Sequence, residues 1–133
     1  MFCANPDKII MRQNGKKIFC AGAIANIYEN LGGIVKSFGK PYNNVFLEAI
    51  NCLKKINPNL NLDNLSIIGD GLETDILGGN DSNINTVLVT SGILSHVFKT
   101  KYGEKPNIDL YNKTISSSKI IPNYAITKFK INS

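Results

Sequence analysis

Two carboxylates, Asp70 and Asp75, stand five residues apart in the stretch Leu65-Ser-Ile-Ile-Gly-Asp-Gly-Leu-Glu-Thr-Asp-Ile-Leu-Gly-Gly79, and Lys40 precedes them in Gly39-Lys40-Pro41. Asp70 follows a short apolar run, so it falls at the carboxyl end of a buried strand, where open α/β sheets place ligands. Asp75 is expected to open the next helix. If the strands at 34–38 and 65–69 lie near each other in one sheet, Lys40 and Asp70 emerge at the same edge, and a cation and an anion face one cleft. A phosphate monoester carries about two negative charges near neutral pH. Its transfer calls for a cation to hold it and a hard metal ion to neutralise developing charge. Mg²⁺ takes few protein carboxylates and keeps waters, so Asp70 suits the part of one direct metal ligand. Lys40 would hold the phosphate as a point charge and moderate a neighbouring carboxylate. Asp75 would orient metal-bound water or Lys40 from behind.

Each residue also has a plainer reading when taken alone. Asp75 and Thr74 suit a helix amino terminus, where side-chain oxygens and negative charge are favourable by roughly 0.5 to 2 kcal/mol. Asp70-Gly71 suits a strand-end turn, and Lys40 a solvated surface. Gly69-x-Gly71 is too short for a dinucleotide fingerprint and lacks the third glycine.

The elements that must position these residues alternate between strand and helix, a pattern that predicts α/β architecture with a parallel sheet. Lys8 to Met11 and Lys17 to Cys20 read as short strands, with Asn14-Gly15 as a hairpin turn between them. Ile24, Ile27, Tyr28 and Leu31 recur at helical spacing, and Gly32-Gly33 supplies a stop. Ile34 to Phe38 reads as a strand. A helix from about Tyr42 to Ile56 follows, with Pro41 suited to its start and Val45, Phe46, Ala49, Ile50, Leu53 and Ile56 expected on one buried face. The strand Leu65 to Gly69, a helix from about Thr74 to Ser82 and the strand Asn85 to Thr90 complete a right-handed parallel set. Beyond it, Ile93 to Tyr102 is expected to be helical, Leu110 to Ser117 a weak helix and Asn123 to Phe129 an edge strand.

Composition narrows the class. The 133 residues are 43% hydrophobic and 19% charged, values of a globular domain large enough to bury a core. The net charge of +5 comes from lysines scattered along the chain, whereas a nucleic-acid binder gathers them into a patch. No nucleic-acid partner is therefore expected. No apolar run approaches the roughly 18 residues of a membrane helix, and the start lacks a secretion signal, so no membrane partner and a cytoplasmic location are expected. Cys3, Cys20 and Cys52 lack metal-ligand spacing and are expected to be reduced and buried.

Together, Gly39-Lys40-Pro41 and Gly69-Asp70-Gly-Leu-Glu-Thr-Asp75-Ile-Leu-Gly-Gly79 resemble motifs of the haloacid dehalogenase superfamily. The branch resembled is the one with a large α/β cap, which includes nucleotide, sugar-phosphate and pyridoxal phosphate phosphatases. Ala4-Asn-Pro-Asp7, Cys20-Ala-Gly-Ala23 and Val87-Leu-Val-Thr-Ser-Gly-Ile93 extend the likeness over roughly Ala4 to Ile93. The resemblance implies a three-layer Rossmann-like core, Lys40 as the active-site lysine, Asp70 as a Mg²⁺ ligand and Asp75 as the second acidic residue.

In that family an Asp-x-Asp-Gly motif near the amino terminus supplies the nucleophile, which forms an aspartyl-phosphate, and a general acid and base. No Asp-x-Asp occurs in this sequence. By the resemblance, residues 1–33 match the close of the cap and 34–133 the second half of the core, so the chain is expected to be a carboxyl-terminal part, inactive alone. Loss of a covalent nucleophile costs many orders of magnitude in rate. The expected partners are a companion chain carrying the amino-terminal half, a small phosphorylated substrate and, through an uncovered core edge, a second copy of the chain. A non-catalytic remnant or an interaction module is the alternative reading.

Overall fold

Helical and strand periodicities hand over to each other as the pattern predicts, and the order of elements follows from them. The computed structural model describes residues 1–11 and 17–131. In chain order these are β1 (Phe2–Cys3), β2 (Ile9–Met11), β3 (Lys17–Phe19), α1 (Ala21–Asn30), β4 (Lys36–Ser37) and α2 (Asn43–Ile56). Then come β5 (Ser66–Gly69), a π-helical turn (Leu72–Ile76) running into α3 (Leu77–Asp81), β6 (Asn85–Val89), α4 (Ile108–Ser118) and β7 (Tyr124–Ile126). β2 and β3 pair antiparallel. The Asn14-Gly15 turn lies outside the described residues.

β5, β6 and β7 form a parallel sheet in that order, with Ile68 opposite Val87 and Val87 opposite Tyr124. One face carries the core. Leu72, Ile76, Leu88 and Phe98 make one buried cluster, flanked by Tyr111 and Ile115 of α4. Phe46, Ile50 and Ile84 make another against Ile67 of β5. Ile76, Leu88 and Phe98 have no exposed surface, and burial of each contributes about 1.5–3 kcal/mol. The α/β architecture with a parallel sheet is thus the one expected.

Several expectations need correction. The strand at 36–37 does not join β5; it pairs in parallel with β1, Phe2 opposite Lys36 and Cys3 opposite Ser37. Ile93 to Tyr102 is a series of turns rather than a helix. Short bonds such as Ser95 N–H to Gly92 O and Val97 N–H to Leu94 O fold the run, and Lys99 adopts left-handed backbone (φ 47°) just after Phe98 enters the core. On α2 only Phe46 and Ile50 are buried, because α3 and β5 cover a narrow stripe; Val45, Ala49, Leu53 and Ile56 are exposed. Of the cysteines, Cys3 is buried, Cys20 half-buried and Cys52 exposed on α2.

Candidate active site

Asp70 and Asp75 leave the same strand end and are held in different ways. β5 closes at Gly69, and Asp70 begins the connection to the π-helical turn. Oδ2 of Asp70 accepts a hydrogen bond from the Ile93 N–H at 2.9 Å. Ile93 lies just beyond β6, the strand beside β5, so two adjacent strand ends fix the carboxylate. A Cβ at Gly92 would overlap that carboxyl group, so only glycine permits this approach. Among the described residues the other Asp70 oxygen has no hydrogen-bond partner and is free to accept a cation.

Asp75 lies one turn further on and is buried, with 6% of its surface exposed. Its Oδ2 accepts from the Gly71 N–H at 3.1 Å, and its Oδ1 lies 2.5 Å from Nζ of Lys40. Gly71 O in turn accepts from both the Asp75 and the Ile76 N–H, the doubled bonding that makes this turn π-helical. Gly69 clears the space: a Cβ there would run into the Asp75 carboxyl group. A buried carboxylate is costly unless paired and hydrogen-bonded, and here both conditions are met.

Lys40 reaches this point from the link between β4 and α2. Its side chain is half exposed, so the ammonium pairs with Asp75 on one side and faces solvent on the other. The helix-cap reading of Asp75 does not describe its bond, since Gly71 holds the N-cap position and the carboxylate accepts the Gly71 N–H from inside the first turn. That reading leaves out Lys40.

The structure thus joins Lys40 to Asp75 directly and sets Asp70 between Gly69 and Gly71, the two residues that bound the Asp75 carboxylate. The sequence does not point to the roles of Gly92 and of the Ile93 N–H. The one signal available was the Ser91-Gly92 punctuation at the end of the next parallel strand, which places a glycine at the same sheet edge.

As a cation site the arrangement is sparse. No group of three or more His, Cys, Asp or Glu side chains gathers among the described residues. With Asp75 committed to Lys40, Asp70 offers one open carboxylate oxygen. That fits Mg²⁺, a hard ion that needs one or two carboxylates and fills the rest with water and substrate oxygens. It does not fit zinc, which takes nitrogen and sulfur ligands.

A family model described as HAD-hydrolase-like matches residues 37–113, more than half of the chain and inclusive of all three residues. Among solved structures, a possible sugar phosphatase of the HAD superfamily from Cytophaga hutchinsonii is 26% identical with a TM-score of 0.75, covering 98% of this chain and 42% of its own. A haloacid dehalogenase-like hydrolase from Brucella suis is 25% identical with a TM-score of 0.72, covering 97% and 44%. The p-nitrophenyl phosphatase of Archaeoglobus fulgidus, 24% identical with a TM-score of 0.68, shares the fold over 96% of this chain and 42% of its own. The chain spans less than half the length of these structures. No curated protein matches the sequence.

Proposed function

The chain belongs to the HAD-like hydrolase family, and from that footing we propose that Lys40, Asp70 and Asp75 are its share of a Mg²⁺-dependent site that hydrolyses phosphate monoesters. The observation that carries the reading is the Lys40–Asp75 ion pair at the carboxyl edge of a parallel sheet, beside a carboxylate with one oxygen free. Its likeness in fold to a possible sugar phosphatase and to a p-nitrophenyl phosphatase supports it.

In this reading Lys40 binds the phosphate through the side of its ammonium that faces solvent. Asp75 fixes where that ammonium points. Asp70, pinned by the Ile93 N–H, would hold Mg²⁺ through its other carboxylate oxygen. When bound, Mg²⁺ offsets negative charge on the phosphoryl oxygens. The nucleophile would be a carboxylate that is not among these residues: its oxygen attacks phosphorus as the substrate's P–O ester bond breaks, a second acid not among these residues protonates the leaving oxygen, and water then attacks the aspartyl-phosphate to release inorganic phosphate and return the carboxylate. Residues 1–33 would be the close of a cap and 34–133 the second half of the core. No helix among the described residues is long and apolar enough to cross a membrane, and the reading sets the protein to work in the cytoplasm on a small phosphorylated substrate.

Titration calorimetry tests the site by itself. Mg²⁺ should bind the chain and be lost in Asp70→Asn, and inorganic phosphate should bind in its presence and be lost in Lys40→Met. Mg²⁺ binding that Asp70→Asn leaves untouched would refute the assignment.

A further inference from the structure

Lysines that are dispersed along the sequence meet at one corner of the fold. The turns around Phe98 close into a loop, with the Asn107 N–H donating to Phe98 O at 2.9 Å. Inside it the Thr100 hydroxyl lies 3.2, 2.9 and 3.2 Å from the carbonyl oxygens of Lys101, Glu104 and Lys105, which draws the loop tight. β7 leaves the sheet beside this loop, its exit held by the Ser91 hydroxyl donating to Thr127 O. Lys128 then crosses the loop. A Cβ at Gly103 would come within 3.2 Å of Lys128 Cδ, and Lys128 Nζ stands 5.8 Å from the centre of the Tyr102 ring. Residues 99–105 and 128–131 therefore form one patch, although they are far apart in the chain.

Five lysines, Lys99, Lys101, Lys105, Lys128 and Lys130, stand in this patch against a single carboxylate, Glu104. That is a surplus of four positive charges in a chain whose net charge is +5. All five lysines are exposed, and among them Tyr102 is 76%, Phe129 51% and Ile131 78% exposed. Cations interleaved with exposed apolar side chains suit the interface of an anionic bilayer, where ammonium groups meet headgroup phosphates and aromatic or aliphatic side chains enter the acyl boundary. Nucleic acid fits less well. Its phosphates and bases favour the planar fork of arginine, which the patch lacks. A single strand also needs a groove, and neither the cavity beside Val97 and Leu110 nor the one beside Asn80 and Asn123 includes a residue of the patch.

We propose that this corner docks the chain on an anionic lipid surface. The five ammonium groups supply the attraction, and Tyr102, Phe129 and Ile131 enter the interface between them. The contact is with the surface of a membrane and spans nothing. Because β5, β6 and β7 run parallel, the patch lies at the same carboxyl edge of the sheet as Asp70, with β6 between them. The inference goes beyond the phosphatase reading and stands without it, since Lys40, Asp70 and Asp75 lie outside the patch.

Co-sedimentation of the 133-residue chain with lipid vesicles tests it. The chain should bind vesicles of phosphatidylcholine mixed with phosphatidylserine and not those of phosphatidylcholine alone, and binding should fall as added salt screens the charges. Lys128→Glu combined with Lys130→Glu should weaken it at least about tenfold. Lys54→Glu combined with Lys55→Glu, an equal change of charge on α2, should leave it intact; circular dichroism checks that both variants fold. The chain has no tryptophan, so Phe129→Trp gives a single reporter whose emission should shift to the blue on phosphatidylserine vesicles. Asp70→Asn should remove Mg²⁺ binding and leave lipid binding untouched, so failure of the site and failure of the patch give different results. No binding, equal binding to both kinds of vesicle, equal weakening by the two lysine pairs, or tighter binding of polyuridylate than of anionic vesicles through the same lysines would overturn the proposal.

Discussion

Nζ of Lys40 and Oδ1 of Asp75 meet at 2.5 Å across thirty-five residues of chain. The contact fastens the entry of α2 to the first turn beyond β5. The two ends differ in setting, for the lysine is half in solvent and the carboxylate is buried. Lys40 can therefore reach a ligand, while Asp75 can only act through its neighbours.

Replacing Lys40 with Met should leave Asp75 buried without its cation. Urea denaturation is expected to show a loss of about 1–3 kcal/mol, held below the full cost of breaking a buried pair because Lys40 is half exposed. Asp75→Asn should cost less, since the amide oxygen can still accept from the Gly71 N–H. A double-mutant cycle with no coupling between the two positions would contradict a stabilising pair.

Gly92→Ala should act on Asp70 alone. The added methyl displaces the carboxyl group that the Ile93 N–H holds, and displaced metal supports typically cost 10–100-fold in affinity. Mg²⁺ titration should show that loss. Gly69→Ala, which presses on Asp75 instead, should destabilise the fold and disturb phosphate binding more than Mg²⁺ binding.

Phe98 is fully buried although it sits among turns, packed 5.5 Å from the Tyr111 ring between centroids. Phe98→Ala should lower stability by about 3–5 kcal/mol, measured by urea denaturation. A loss under 1 kcal/mol would mean that this segment does not close the core.

At the opposite end of the sheet, the buried Thr86 hydroxyl lies 3.1 Å from Asn80 Oδ1 and 3.0 Å from Asn123 Oδ1, and accepts the Asn123 N–H at 3.1 Å. Thr86→Val removes that meeting point and should cost about 1–3 kcal/mol. Hydrogen exchange should show β7, which Asn123 precedes, opening first.

Much of this was legible because the residues concerned are punctuated strongly. An apolar run ending in Gly-Asp-Gly marks a strand end and a carboxylate together, and Gly39-Lys40-Pro41 marks a turn bearing a cation. Three things were not legible. Periodicity shows that α2 and Ile93 to Tyr102 possess apolar residues but not what covers them, so it predicts too wide a buried face for α2 and a helix where the chain forms turns. The partner of the strand at 36–37 depends on Phe2 and Cys3, a segment too short to show alternation. The hold on Asp70 comes from a backbone N–H, which every residue but proline has, so its donor could not be singled out.

The most direct test of the account is hydrolysis of an aryl phosphate with Mg²⁺, by the chain alone and by the chain combined with the missing part of a related phosphatase, each with an Asp70→Asn control. Turnover only in the combination, abolished by Asp70→Asn, is the predicted result. Turnover by the 133-residue chain alone, abolished by the same substitution, would contradict the claim that its nucleophile lies elsewhere.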